Sequence, residues 1–150
     1  MKIQLDWLKE YVDIDVSAEE VGHLLTMAGL EIEAQETIEL SDGARTKVLE
    51  LNVTPNRGYC LSYIGVAREV AGLLDKSLQL PEVNLPELGK NPSIESRLEV
   101  FNDVPELCPR YSALVIEDVQ LGPSPDWLQN NLRAIGFRPI NNVVDVTNFV

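Results

Sequence analysis

Apolar residues recur at helical spacing in two stretches of the chain. Val21, Leu24, Leu25 and Ala28 share one face of a helix that opens at Ser17, where Ser17-Ala18-Glu19-Glu20 has the form of a capping box. Leu61, Ile64, Ala67, Ala71 and Leu74 share a second face, widened by Val66, Val70 and Leu73, which predicts a well-buried helix over 61–74. A shorter helix is expected over 5–11. Between the two longer helices the period changes. Gly29 supplies the left-handed residue that ends the first helix, after which Leu30-Glu31-Ile32-Glu33-Ala34 alternates as a strand does. Val48 to Val53 alternates again, with Ser41-Asp42-Gly43 as a turn, so the two strands pair as a hairpin or lie as neighbours in a small sheet. Pro55 stops the second strand.

The pattern then fails. Pro81, Pro86, Gly89 and Pro92 fall in a stretch with no sustained period, which predicts a linker at 81–93 between a domain at 1–80 and a second at 94–150. Arg97 to Phe101 and Arg110 to Val119 read as strands. Ser124-Pro125-Asp126 reads as a helix start with Ser124 as cap and proline at the first position, and Gly136 closes that helix. Ile140 to Val150 is apolar at most positions and looks like an element cut through. The expected class is α+β, in two pieces.

A chain of 150 residues, 45% of them hydrophobic, buries one sizeable core or two small ones. Its 24 acidic against 12 basic residues give a net charge of −12, which argues against a free-standing nucleic-acid binder, because such a surface repels phosphates. Cys60 and Cys108 stand far apart and read as reduced, buried thiols. An acid at Asp6 interrupts any leader-like start, and no apolar run reaches membrane-spanning length, so a cytoplasmic protein without a membrane is expected. No phosphate-binding loop, G-x-G-x-x-G, H-E-x-x-H or G-x-S-x-G occurs. His23, the only histidine, has no neighbour at ligand spacing, so neither a catalytic residue nor a metal site is expected in the chain.

Four words carry a family resemblance: Leu25-Thr26-Met27-Ala28-Gly29-Leu30-Glu31; Val53-Thr54-Pro55-Asn56-Arg57, continuing through Cys60-Leu61-Ser62 to Gly65-Val66-Ala67-Arg68-Glu69; Cys108-Pro109-Arg110-Tyr111; and Val143-Val144-Asp145-Val146-Thr147-Asn148-Phe149-Val150. In this order they resemble the β subunit of bacterial-type phenylalanyl-tRNA synthetase, from its N-terminus into the start of its editing region. The resemblance implies a winged-helix-like α+β unit followed by the opening of an α+β editing domain. It also implies a parent enzyme of two α and two β subunits that uses ATP and magnesium to attach phenylalanine to its tRNA on the α subunit.

In the family the Thr-Asn pair of the last word lines the pocket that hydrolyses tyrosine wrongly attached to the phenylalanine tRNA, and by resemblance that role falls on Thr147 and Asn148. Editing answers a real difficulty, since phenylalanine and tyrosine differ by one hydroxyl and a second site can remove the error. The bland alternative is that Asp145 or Thr147 caps a helix start. The family's pocket also uses a histidine and a glutamate beyond Val150, so the chain by itself is expected to be inactive and to hold no cofactor. Thr54-Pro55-Asn56-Arg57 reads as a strand-to-helix turn with Arg57 pointing outward, either structural or a contact with RNA or the partner subunit. Two features depart from the family. Only the stretch from Ser41 to Lys47 stands where members commonly carry an OB-type tRNA-binding insertion, and Tyr59 replaces an aspartate that would cap the helix starting near Leu61. The rival reading is a non-catalytic protein-interaction module related to that subunit.

Overall fold

The computed structural model describes residues 1–84 and 94–150, so the expected linker at 81–93 lies outside the described residues from 85 onward. The chain forms two compact units, Met1–Glu82 together with Gly122–Val150, and Val83–Leu121. This grouping is drawn differently from the expected 1–80 and 94–150, because the last two helices cluster with the N-terminal residues.

In the first unit, β1 (Lys2–Gln4) leads into α1 (Leu5–Leu8), α2 (Ala18–Met27), β2 (Glu31–Glu39) and β3 (Arg45–Asn52). A 3-10 helix at Pro55–Leu61, α3 (Tyr63–Leu74), α4 (Asp126–Ala134) and α5 (Asn142–Phe149) complete it. The helix expected over 5–11 is thus shorter, and a mixed α+β architecture is present. The ends of α2 are made by the residues the sequence singles out. Ser17 Oγ accepts from the Glu20 N–H at 3.2 Å, and Gly29 has φ +89°. With Gly29 left-handed, the Leu30 N–H reaches Leu25 O at 2.8 Å and the Gly29 N–H reaches Thr26 O at 2.9 Å. These two bonds form a Schellman motif that satisfies carbonyls the helix leaves open.

β2 and β3 pair antiparallel as a hairpin from Glu31↔Asn52 to Glu39↔Arg45, with an irregularity between Ile32 and Ala34. The turn closes through Leu40 N–H to Ala44 O at 2.8 Å and Gly43 N–H to Leu40 O at 3.0 Å, and Gly43 takes φ +83°. β1 pairs with the other edge of β3, giving the order β1-β3-β2. As the middle strand, β3 buries Val48, Leu49 and Leu51. Ile3, Leu8, Val21, Leu25, Leu30, Val66 and Val70 join Leu49 and Leu51 in one core. Each such aliphatic side chain contributes about 1.5–3 kcal/mol by leaving water.

Tyr63 ties the N-terminus of α3 to the sheet. Its hydroxyl accepts from the buried Gln4 N–H at 2.8 Å, and its ring stacks on Trp7 with centroids 3.9 Å apart. Burial raises the Tyr63 phenol well above its ordinary pKa, so it stays neutral while holding that N–H.

In the second unit a 3-10 turn at Ile94–Ser96 is followed by turns. Asn102 donates to Cys108 O at 2.8 Å and its Oδ1 accepts from the Val104 N–H, and Arg97 pairs with Glu117. The strands expected at 97–101 and 110–119 do not form: these residues join no ladder, and Phe101, Tyr111, Leu114 and Ile116 are exposed. An apolar, alternating segment becomes a strand only when a neighbour takes its N–H and C=O groups and a second layer covers its apolar face.

Candidate functional site

The residues singled out at the C-terminal end lie on α5, whose start is built by a different residue from those expected. Asn141 is the cap: its Oδ1 accepts from the N–H groups of Val143 at 3.1 Å and Val144 at 2.9 Å. Neither Asp145 nor Thr147 is the cap residue, which corrects the bland alternative in its letter, but Asp145 does hold the start of the helix by accepting from the Ile140 N–H just before it. Thr147 lies exposed and its hydroxyl donates to Val144 O at 2.7 Å, one turn back. Asn148 is exposed as well, and its amide has no hydrogen-bond partner among the described residues.

Asp145 is the residue whose role sequence reasoning missed. It is 1% exposed, accepts from Ser124 Oγ at 2.5 Å and from the Ile140 N–H at 2.8 Å, and no cation pairs with it among the described residues. Burial pushes its carboxyl pKa up, but the Ser124 hydroxyl and the Ile140 and Asn141 N–H groups outweigh this and hold it below the ordinary value. Ser124 is consequently engaged: it does not cap α4, whose cap position is Pro125 without a side-chain bond. The available signal was an acid in the first turn of the helix, where a carboxylate can accept from the N–H groups at the helix start; Val143 and Val146 beside it are exposed and give none.

α4 ends at Gly136, φ +91°, with Phe137 N–H to Leu132 O at 2.9 Å. Asn130 anchors the same helix to the hairpin turn, its Oδ1 accepting from Ser41 Oγ at 2.6 Å. The Phe149 ring stacks on Trp7 at 4.8 Å and nearly parallel, and meets Trp127 edge-on at 5.3 Å. Beside these rings a cavity of ≈ 590 Å³ is lined by Trp7, Tyr11, Tyr63, Phe137, Asn148 and Phe149, among others. It brings in Asn148 but not Thr147. Its walls are mostly apolar with few polar groups, which suits an aromatic or aliphatic body held by one or two hydrogen bonds.

Arg57 does not point freely outward. In the 3-10 turn its guanidinium pairs with Glu69 at 3.6 Å and is half-buried. The Tyr59 hydroxyl donates to the same carboxylate at 2.7 Å. That bond, and then loss of solvent, pushes the Tyr59 phenol up to about 12. The cap of α3 is Ser62, whose Oγ accepts from the Gly65 N–H at 3.1 Å, so the tyrosine at 59 takes no capping bond away from that helix. Cys60 is the buried residue of this same turn and its thiol pKa is raised, chiefly by burial. Cys108 is only partly buried, and its Sγ contacts Arg110 O at 3.6 Å. His23 is exposed on α2. Among the described residues no three His, Cys, Asp or Glu side chains gather as a metal site, and no helix is long and apolar enough to cross a membrane.

Residues 107–150, which include Asp145, Thr147 and Asn148, match the B3/4 domain family. The whole chain is 46% identical over 150 residues to a phenylalanine–tRNA ligase β subunit of Rhodopirellula baltica, covering 100% of this chain and 21% of that protein. The β subunit of Carboxydothermus hydrogenoformans is 51% identical over 116 residues, 77% of this chain and 14% of the relative. That of Geobacter sulfurreducens is 41% identical over 140 residues, 92% and 17% respectively. The chain therefore spans only a minor part of the length of the curated relatives it matches. With agreement running from its first residue to its last, the chain belongs, as a segment, to the phenylalanine–tRNA ligase β-subunit family.

Proposed function

We propose that the chain serves a phenylalanine–tRNA ligase as part of its β subunit, giving structural support and one wall of the pocket that hydrolyses tyrosine-charged phenylalanine tRNA. The observation that carries this reading is the end-to-end match, together with the B3/4 match that contains the Thr147–Asn148 pair. Residues 1–80, with their helices and three-stranded antiparallel sheet, then form a winged-helix-like N-terminal domain, and 94–150 open the editing domain. The parent enzyme works in the cytoplasm, pairs two β with two α subunits, and binds phenylalanine tRNA but not DNA.

ATP and magnesium act in the parent's ligation reaction. The described residues offer no gathered carboxylates to hold the metal and the sequence has no phosphate loop, so these residues do not fit either group. What these residues offer is positioning. The unpartnered Asn148 amide can donate to an ester carbonyl or accept from a water, and the Thr147 hydroxyl, while donating to Val144 O, keeps its lone pairs free to accept. Arg57, anchored by Glu69, is a subunit or RNA contact only through the part of its guanidinium left exposed.

The test is Asn148→Ala in the complete two-subunit enzyme. Hydrolysis of tyrosine-charged tRNA should slow by roughly a hundredfold, the usual effect of losing one oriented donor at such a site, while phenylalanine charging stays normal. Because the Asn148 amide holds nothing else among the described residues, the melting temperature should not move. Unchanged hydrolysis would remove Asn148 from the site.

A further inference from the structure

The bond that Asp145 accepts from the Ile140 N–H, just before its own helix, explains only part of its burial. The first free N–H groups of α5 are already taken by Asn141, and a carboxylate without a counter-cation is costly to remove from water unless several donors hold it. The donors it has lie outside its own helix: the Ser124 hydroxyl, two residues before α4, and the Ile140 and Asn141 N–H groups at the end of the connecting segment. A second pair of bonds runs alongside, from the Asn142 N–H to Gly122 O at 2.9 Å and from the Gly122 N–H to Asn142 Oδ1 at 3.2 Å. The first turn of α5 is therefore locked in rotation against the segment that enters α4. Three residues on, Asn148 occupies the neighbouring helix position, and Phe149 is held by its stack on Trp7. The direction of the Asn148 amide is set by a polar anchor before it and an aromatic anchor after it.

We infer that Asp145 is a positioning residue for editing, acting through Asn148 by fixing the rotation of α5 with its bonds to Ser124 and Ile140. The inference rests on the editing role proposed above. Negative charge in the first turns of a helix is also favoured by the helix dipole, so the same carboxylate that locks the helix is tolerated where it sits.

The experiment compares Asp145→Ala, Asp145→Asn, Asn148→Ala and the Asp145→Ala/Asn148→Ala double variant in the complete two-subunit enzyme. It measures kcat and KM for hydrolysis of tyrosine-charged tRNA together with phenylalanine charging. Asp145→Ala should lower the hydrolytic kcat about tenfold or more, as small misplacements of a reacting group do, with KM and charging little changed. The double variant should be no slower than Asn148→Ala, since a residue acting through Asn148 has nothing left to act on. Asp145→Asn should recover much of the rate, because its carbonyl can accept from the Ile140 N–H while its amide donates to Ser124 Oγ.

A double variant slowed by the product of the single effects, or a parallel fall in charging, would show a general structural role and overturn the inference. If Asn148→Ala slows hydrolysis and Asp145→Ala does not, the positioning role alone fails. If Asn148→Ala changes nothing, the editing reading fails and the positioning role falls with it. Should Asp145→Ala not assemble, Ser124→Ala replaces it, with a severalfold loss in kcat and the same non-additivity with Asn148→Ala expected, and additivity as the overturning result.

Discussion

Replacing Gly65 by alanine should unfold the first unit more readily than any other single-methyl addition in α3. A Cβ at Gly65 would lie 1.8 Å from the Tyr59 carbonyl oxygen, 2.6 Å from its carbon and 3.2 Å from the Cys60 nitrogen. All three are backbone atoms of the preceding 3-10 turn, so no flexible side chain can step aside. Relief requires α3 to shift away from that turn, and α3 carries Val66, Ala67, Val70 and Ala71 into the core. Overpacking a well-filled site costs about 1–3 kcal/mol, and a backbone clash this close belongs at the upper end or beyond. Alanine returns about 1 kcal/mol through its better helix propensity, leaving a net loss of about 2 kcal/mol or more. For a chain of this size that lowers the melting temperature by roughly 4–8 °C, at about 2–4 °C per kcal/mol. Gly72 in the same helix supplies the control, since a Cβ there meets nothing within 4 Å. Gly72→Ala should be neutral or stabilising by up to about 1 kcal/mol. Urea unfolding followed by circular dichroism separates the two, and equal midpoints for the variants would refute the reasoning.

Tyr63→Phe keeps the stack on Trp7 but leaves the buried Gln4 N–H without its acceptor. It should cost about 1–3 kcal/mol, and a loss below about 0.5 kcal/mol in urea unfolding would contradict the role given to that hydroxyl. At Lys76 the ammonium stands 2.9 Å from Asp15 and 3.7 Å from Asp13, holding the Asp15 pKa down by hydrogen bond and charge while its own is raised by the Asp15 hydrogen bond and charge. Asp15, with its folded pKa depressed, contributes above its unfolded pKa and loses that contribution as pH falls through the folded one. Lys76, with its folded pKa raised, contributes below its unfolded pKa and loses that as pH rises through the folded one. Lys76→Met should therefore lower stability slightly near neutral pH and low salt, and not in strong acid or high salt. Unfolding midpoints that differ equally in strong acid would contradict this.

Local signals were legible where local bonds make the structure. Ser17 before a helical period and Gly29 after it located α2, because a cap and a left-handed residue act on their nearest neighbours. Asp42-Gly43 between alternating segments located the hairpin for the same reason. The helix from Leu61 to Leu74 was also visible, although Ser62 and not an earlier residue proved to cap it. The four family words carried the resemblance that the comparisons bear out, since they are read directly from the chain.

Contacts between residues distant in sequence were not legible. Which strand lies in the middle of the sheet depends on β1 returning to pair with β3 across nearly fifty residues, and no period records that. Arg97 to Phe101 and Arg110 to Val119 have strand-like composition without a ladder, because pairing is a property of two segments and the sequence of one cannot supply it. Ser124 has the local form of a helix cap, and only the approach of Asp145 from 21 residues away turns its hydroxyl elsewhere. Arg57 reads as an outward-pointing turn residue until Glu69, in the middle of the following helix, claims it. The sequence by itself determined the segments that a neighbour within a few residues can stabilise, together with the family. The tertiary structure alone decided the strand order, the burial of Asp145 and the direction of Asn148, since each depends on a partner brought close only after the chain has folded.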